Sequence, residues 1–164
     1  MSAPREQGKK TITDPKVALV KVQAWCAYQE RCQQEVRDKL YSWGLWPDAV
    51  ESIIAELISK NFINEQRFAV LYAGGKFRVK KWGRIRIRLE LKKRQIPEGI
   101  IRSALAEIDN TSYHEALYKL AASRWKSEKE KHPLKKKMKV MRYLVSRGYE
   151  SDLVSDYVNE LNET

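Results

Sequence analysis

Two cysteines in 164 residues are too few for a disulfide framework, and Cys26 and Cys32 form neither a CxxC pair nor a cysteine and histidine spacing suited to zinc. Both are read as reduced thiols, and Cys26, inside an apolar helical pattern, as a core residue. No apolar run reaches the about eighteen residues of a membrane span. The opening MSAPREQGKKTITD also lacks the apolar stretch of a secretion signal, so the expected setting is soluble and cytoplasmic. The chain has only two histidines, His114 and His132, which have no partner at metal-ligand spacing and read as surface or boundary residues. Ala73-Gly74-Gly75-Lys76 lacks the GxxxxGK spacing with which backbone amides cradle phosphates. Glu51, Glu56, Glu107 and Glu160 are read as a solvated face rather than a nuclease metal site, since the last three share one repeat position beside an apolar stripe. No catalytic residue, cofactor or metal is expected.

Basic residues are abundant. The formal net charge is +11 and the isoelectric point near 9.6, which points to a polyanionic partner. From Arg67 to Arg94 eleven Lys or Arg residues face one acid, Glu90, and a second cluster runs from Lys126 to Lys139. Residues 47 to 66 and 150 to 164 are acidic, so the charge is asymmetric along the chain.

The punctuation predicts short helices. Asp14-Pro15 is a cap followed by proline at the first helical position, with a helix over about 15 to 29. A second, over about 33 to 43, stops at Gly44, and Trp46-Pro47-Asp48 opens a third, to about Lys60. Asn64 caps a fourth, Pro97 opens another that closes near Asp109-Asn110, and Ser112 to Glu115 has the spacing of a capping box. Gly148 stops the next helix and Ser151 caps the last. Residues 1 to 13 carry no apolar periodicity and read as a mobile tail.

Three segments align without a gap: 35 to 57, 86 to 108 and 139 to 161. Apolar residues coincide at Val36, Ile87 and Val140, at Leu40, Leu91 and Leu144, and at Leu45, Ile96 and Tyr149. They coincide again at Val50, Ile101 and Val154, at Ile54, Leu105 and Val158, and at Leu57, Ile108 and Leu161. Each segment reads as helix, turn, helix, and a preceding helix completes a three-helix module. The expected fold is all-α: three tandem three-helix repeats, over 14 to 63, 64 to 111 and 112 to 164, stacked into an elongated, curved body. One stretch argues otherwise. RIRIRLEL (84 to 91) alternates like a half-buried strand, but its counterparts do not, and a lone strand leaves its backbone groups unpaired. As a helix it turns Ile87 and Leu91 to the core and leaves Ile85 and Leu89 as a second apolar strip, facing a neighbouring module or a partner.

The stretch NFINEQRFAVLYAGGKFRVKKWGRIRIRLELKKRQIPEGIIRSAL also carries a family pattern, whose places are Arg67, Phe68, Ala69, Gly83, Ile87, Glu90, Leu91 and Ile96. In this order and spacing they resemble the central repeat of RecX proteins, and RCQQEVRDKLYSWGL and KVMRYLVSRGYESDLV extend the resemblance through the first and third repeats. Gln95 departs from it, standing where the family often has glycine, which implies an altered turn. Gly74-Gly75 is unusual inside a helix. The resemblance implies a regulator that lodges in the groove of a RecA recombinase filament on DNA and suppresses its ATPase and strand exchange; the chain is expected to be a monomer and not an enzyme. A sequence-nonspecific DNA- or RNA-binding protein acting without a recombinase is the alternative.

The candidate binding residues are Arg67, Arg78, Lys80, Lys81, Arg84, Arg88, Lys92 and Lys93, with Lys135, Lys136 and Lys137 in the second cluster. Lys81, Arg84 and Arg88 share one face if they share one helix. Whether this surface meets phosphates or carboxylates is left open by charge alone. Trp82 is read as packing at a module junction rather than as a platform for a base.

Overall fold

The computed structural model describes residues 11–164. Among them are nine α-helices: α1 (Pro15–Tyr28), α2 (Gln33–Ser42), α3 (Pro47–Ser59), α4 (Glu65–Gly75), α5 (Arg84–Lys93), α6 (Glu98–Ala106), α7 (Asn110–Ser127), α8 (Pro133–Ser146) and α9 (Ser151–Glu163). The described residues contain no strand, and a π-helical segment (Lys76–Lys80) continues α4. Asp14 caps α1 by accepting from the Lys16 amide at 2.9 Å, and Asn64 does the same for α4 through the Arg67 amide at 2.9 Å.

Two starts differ from expectation. Helix α7 begins at Asn110 rather than at Ser112, because Asp109 is the cap and accepts from both the amide and the hydroxyl of Ser112 at 2.9 Å. The cap position of α9 is Glu150 rather than Ser151, and its carboxylate makes no capping bond because it is engaged by Tyr113. The expected tail is also shortened. Residues 1–10 lie outside the described residues, but Ile12 is only 7% exposed and its amide donates to the Trp43 carbonyl at 3.0 Å.

Internal contacts divide the chain into two compact units, one up to Phe68 and one from Ala69, and the division falls within α4. In the first unit α1, α2 and α3 pack on one another around Val22, Val36, Leu40, Val50 and Leu57, all fully buried. In the second unit α5 packs on α6, and α7, α8 and α9 pack together. The three aligned segments share one register: Val36, Ile87 and Val140, and Leu40, Leu91 and Leu144, are all fully buried. Burying each such side chain contributes about 1.5–3 kcal/mol. Only Leu161, near the end of α9, is half-buried where Leu57 and Ile108 are buried.

The register extends to the backbone. At the turn after the first aligned helix, the amides of Leu45, Ile96 and Tyr149 donate to the carbonyls of Leu40, Leu91 and Leu144 at 3.4, 3.2 and 3.3 Å. The preceding residue is left-handed each time, with φ of +95° at Gly44, +58° at Gln95 and +100° at Gly148. Gln95 therefore keeps the turn that glycine makes in the other two, correcting the expectation of an altered turn; the closing bond requires this conformation whichever residue is present.

The alternating stretch is helical. In α5, Ile87 and Leu91 are fully buried, while Ile85 and Leu89 are 44% and 54% exposed. Helix α4 passes through Gly74 and Gly75 without a break; a Cβ on Gly74 would stand 2.7 Å from Nη1 of Arg78, whose guanidinium folds back over it. A closer approach joins the α5 start to the α8 end. A Cβ on Gly83 would lie 2.3 Å from the carbonyl of Gly148, and one on Gly148 would lie 2.4 Å from Cβ of Arg86. The amides of Gly83 and Ile85 donate to the carbonyls of Arg147 and Gly148, each at 2.9 Å. Backbone contact this tight between segments so distant in the chain places both in one unit.

Candidate partner and nucleic-acid interface

Nearly all of the net charge belongs to the second unit, which has 22 Lys or Arg and 12 Asp or Glu, against 10 and 9 in the first. A cation already paired within the chain must exchange that carboxylate before it meets another, at a small cost where the pair is exposed. By that measure the predicted residues separate into two groups.

Five of them are engaged within the chain. Arg67 lies in the first unit, where Nε contacts Glu30 at 2.5 Å and Nη2 donates to the Asn61 carbonyl at 3.1 Å. Arg84 is held from three directions: Nη2 donates to Asn110 at 3.2 Å, Nη1 lies 3.8 Å from Glu150, and the guanidinium sits 3.8 Å over the Tyr113 ring. Arg88 pairs with Glu98, which also faces Lys92 at 3.7 Å, and Lys93 pairs with Glu90 at 3.0 Å. The other six, Arg78, Lys80, Lys81, Lys135, Lys136 and Lys137, have no carboxylate partner among the described residues. Lys136 lies 4.2 Å over the Trp125 ring.

The expected convergence of Lys81, Arg84 and Arg88 on one helix does not occur. Lys81 is the left-handed cap that ends the π segment, with φ +57°, and α5 starts only at Arg84. The Tyr149 hydroxyl holds it there by donating to its carbonyl at 2.8 Å. Arg84 and Arg88, one turn apart on α5, do share a face.

The fold instead forms two cationic clefts in the second unit. In the first, about 420 Å³, Arg78 and Lys81 meet Lys119 of α7 above Phe77 and Leu120, with Glu115 as the carboxylate of the lining. The second, about 570 Å³, brings Arg84 and Arg88 beside Arg102 of α6, over Ile85 and Leu105, with Glu150 at its edge. Lys119 and Arg102 were missed in the sequence because neither belongs to a basic run. Lys119 follows Glu115 by four residues and reads as an ordinary helix-surface pair, so only the packing of α7 brings it into the cleft lining.

Below the second cleft, Tyr113 links its parts. The Arg84 amide donates to the Tyr113 oxygen at 3.1 Å, and the Tyr113 hydroxyl donates to Glu150 at 2.8 Å. Burial, with the Glu150 carboxylate adding to it, pushes the Tyr113 phenol far above its ordinary range, and Tyr149 is pushed up to about 12 by burial. These phenols stay protonated and act as fixed dipoles. Burial also raises the thiols of Cys26 and Cys32 to about 11 and 12, so neither forms a thiolate near neutrality. Trp82 is half-buried, with Lys76 5.1 Å and Arg86 4.3 Å from its ring, which occupies it with side chains of its own unit. His114 meets the Tyr157 hydroxyl at 2.8 Å, and His132 caps α8. Glu107 and Glu160 are exposed and Glu56 half-buried; the described residues contain no group of three metal-ligating side chains. The two clefts present arginine and lysine side chains over apolar surface.

Residues 64–105 match the second three-helix domain of RecX, and residues 112–158 match the third. The chain belongs to the RecX family. It is 30% identical over 133 residues to regulatory protein RecX of Clostridium perfringens strain 13, covering 80% of this chain and 62% of that one. The chain thus spans about three fifths of that relative. Regulatory protein RecX of Prosthecochloris aestuarii is 26% identical over 151 residues, covering 91% of this chain and 96% of the relative. The crystal structure of RecX from Lactobacillus salivarius superposes with a TM-score of 0.80 at 25% identity, over 92% of this chain and 97% of that one. A second crystal structure of a regulatory protein RecX gives 0.81 at 22% identity, over 89% and 71%, and shows the shared fold. The helical repeats, the RecX resemblance and the regulatory-protein family expected from the sequence are thereby established. No helix among the described residues is long and apolar enough to cross a membrane.

Proposed function

We propose that this RecX-family protein is a regulator that binds RecA-type recombinase filaments on DNA and restrains their ATP hydrolysis and strand exchange. The observation that carries the reading is the RecX match across the second and third three-helix domains. The electrostatics support it. A second unit with ten more cations than acids, in which Arg78, Lys81 and Lys119 surround one cleft with no ion pair among the described residues, is suited to a polyanion such as filament-bound DNA. The protein acts by occupancy, without chemistry of its own.

The test is co-sedimentation with preformed recombinase filaments, compared with naked single-stranded DNA at equal salt, alongside the filament's ATPase rate. Retention on filaments with a reduced rate is the expected result. Binding to naked nucleic acid alone, with the ATPase unchanged, overturns the reading in favour of a sequence-nonspecific nucleic-acid binder.

A further inference from the structure

The cleft over α5 and α6 borders an exposed apolar strip, whereas the apolar floor of its neighbour is buried Phe77 and half-buried Leu120. Ile85 and Leu89 lie in adjacent turns on one strip of α5, 44% and 54% exposed, and Ile85 continues into the cleft beside Leu105. Arg84 and Arg88 run parallel to that strip on the same helix, and exposed Arg102 faces them from α6 without a carboxylate partner among the described residues. The cleft of about 570 Å³ falls within the usual size range of binding clefts.

The cleft already holds carboxylates. Glu98 lies on Arg88 and Lys92, and Glu150 stands beside Arg84. Arginine presents a planar fork that takes a carboxylate by two parallel bonds. Arg84, fixed on the Tyr113 ring and by Asn110, is ordered in advance, so little side-chain freedom is lost on binding. The Glu98 pair is half-exposed, and such pairs are weak enough to be exchanged. A phosphodiester strand satisfies the arginines but leaves Ile85 and Leu89 in water; an acidic segment bearing apolar side chains satisfies both.

From this juxtaposition we infer that the α5–α6 cleft docks an acidic peptide segment of a partner protein, its carboxylates on Arg102 and Arg88 and its apolar side chains on Ile85 and Leu89. Glu98 is the internal stand-in that the segment displaces from Arg88. The inference deepens the regulatory reading by assigning this surface to protein, and it can be tested without a recombinase.

The experiment is fluorescence anisotropy of the full chain with a labelled peptide of about twelve residues, rich in Glu and Asp and carrying two Leu and one Phe. The controls are a peptide of equal charge with serine at the apolar positions and an unlabelled oligonucleotide as competitor. Arg102 is exposed and has no ion pair among the described residues, so Arg102→Glu leaves the fold intact and is expected to lower peptide affinity at least about tenfold, as for loss of a charge-assisted bond. The double variant Ile85→Ser, Leu89→Ser is expected to lower it about fivefold or more while leaving oligonucleotide affinity unchanged. Glu98→Gln is expected to raise it severalfold by freeing Arg88. Equal binding of the serine control, or displacement of the peptide by the oligonucleotide at matched charge, overturns the inference and makes the arginines a phosphate site. Failure of filament co-sedimentation with peptide binding intact would count against the recombinase reading alone.

Discussion

Replacing Gln95 by glycine is expected to stabilise the protein. Gln95 is held at φ +58°, where a residue with a Cβ carries about 1–2 kcal/mol of strain. Glycine removes that strain and adds about 0.5–1 kcal/mol of conformational entropy to be lost on folding. The net gain is about 0.5–1 kcal/mol, a rise of about 1–4 °C in Tm for a chain of this size. Nothing else is lost: the Gln95 side chain is exposed, and the turn is closed by backbone bonds from Gln95 to Lys92 at 2.9 Å and from Ile96 to Leu91 at 3.2 Å. The same position in the other repeats supplies two controls. Gly44→Ala introduces the strain, with the new Cβ only in ordinary contact with Thr11 at 3.4 Å, and should cost about 1–2 kcal/mol. Gly148→Ala adds a clash at 2.4 Å with Arg86 and should cost about 3 kcal/mol or more. Urea unfolding of the three variants checks the order. A destabilised Q95G, or a G148A no worse than G44A, would refute the reasoning.

Reversing Arg78 and Lys119 together to Glu should weaken filament binding by at least about tenfold and flatten its salt dependence. Because neither cation has an ion pair to lose among the described residues, the stability should move by no more than about 0.5 kcal/mol, checked by denaturant titration. Arg84→Ala, by contrast, should cost about 1–2 kcal/mol through lost contacts with Tyr113, Asn110 and Glu150, visible as a lower Tm whatever happens to binding. Cys26 and Cys32 should resist a thiol reagent at about pH 8 in the folded protein and react at once in denaturant; rapid native-state labelling would contradict their burial. Tyr149 keeps its proton in the folded state up to about pH 12 but loses it near 10 when unfolded, so its contribution is complete below pH 10 and declines from there to 12. Tyr149→Phe should therefore flatten the alkaline limb of the stability profile in that window, while losing about 1 kcal/mol at neutral pH from the bond to the Lys81 carbonyl.

The helices and their register were legible in the sequence because burial repeats: Leu40, Leu91 and Leu144 had to be equivalent once their segments aligned, and each is fully buried. The alternation in RIRIRLEL was resolved by the same comparison, since Ile87 and Leu91 match core positions and Ile85 and Leu89 do not. Caps were less legible. Asp109 and Ser112 are both capable N-caps, and the choice between them depends on where the chain leaves α6. The basic character of the central region was plain, but which charges remain available was not, because ion pairing joins residues distant in sequence, such as Arg84 with Glu150 and Arg67 with Glu30. Lys119 and Arg102 carried no sequence signal, since each becomes part of a cleft only when its helix packs.

The contact between Gly83 and Gly148 couples two positions far apart in the chain. A side chain on either would overlap the backbone or first carbon of the opposing segment, and no substitution at the other glycine removes those atoms. Each glycine is therefore required on its own account, and the spacing between the two helix ends tolerates a side chain at neither.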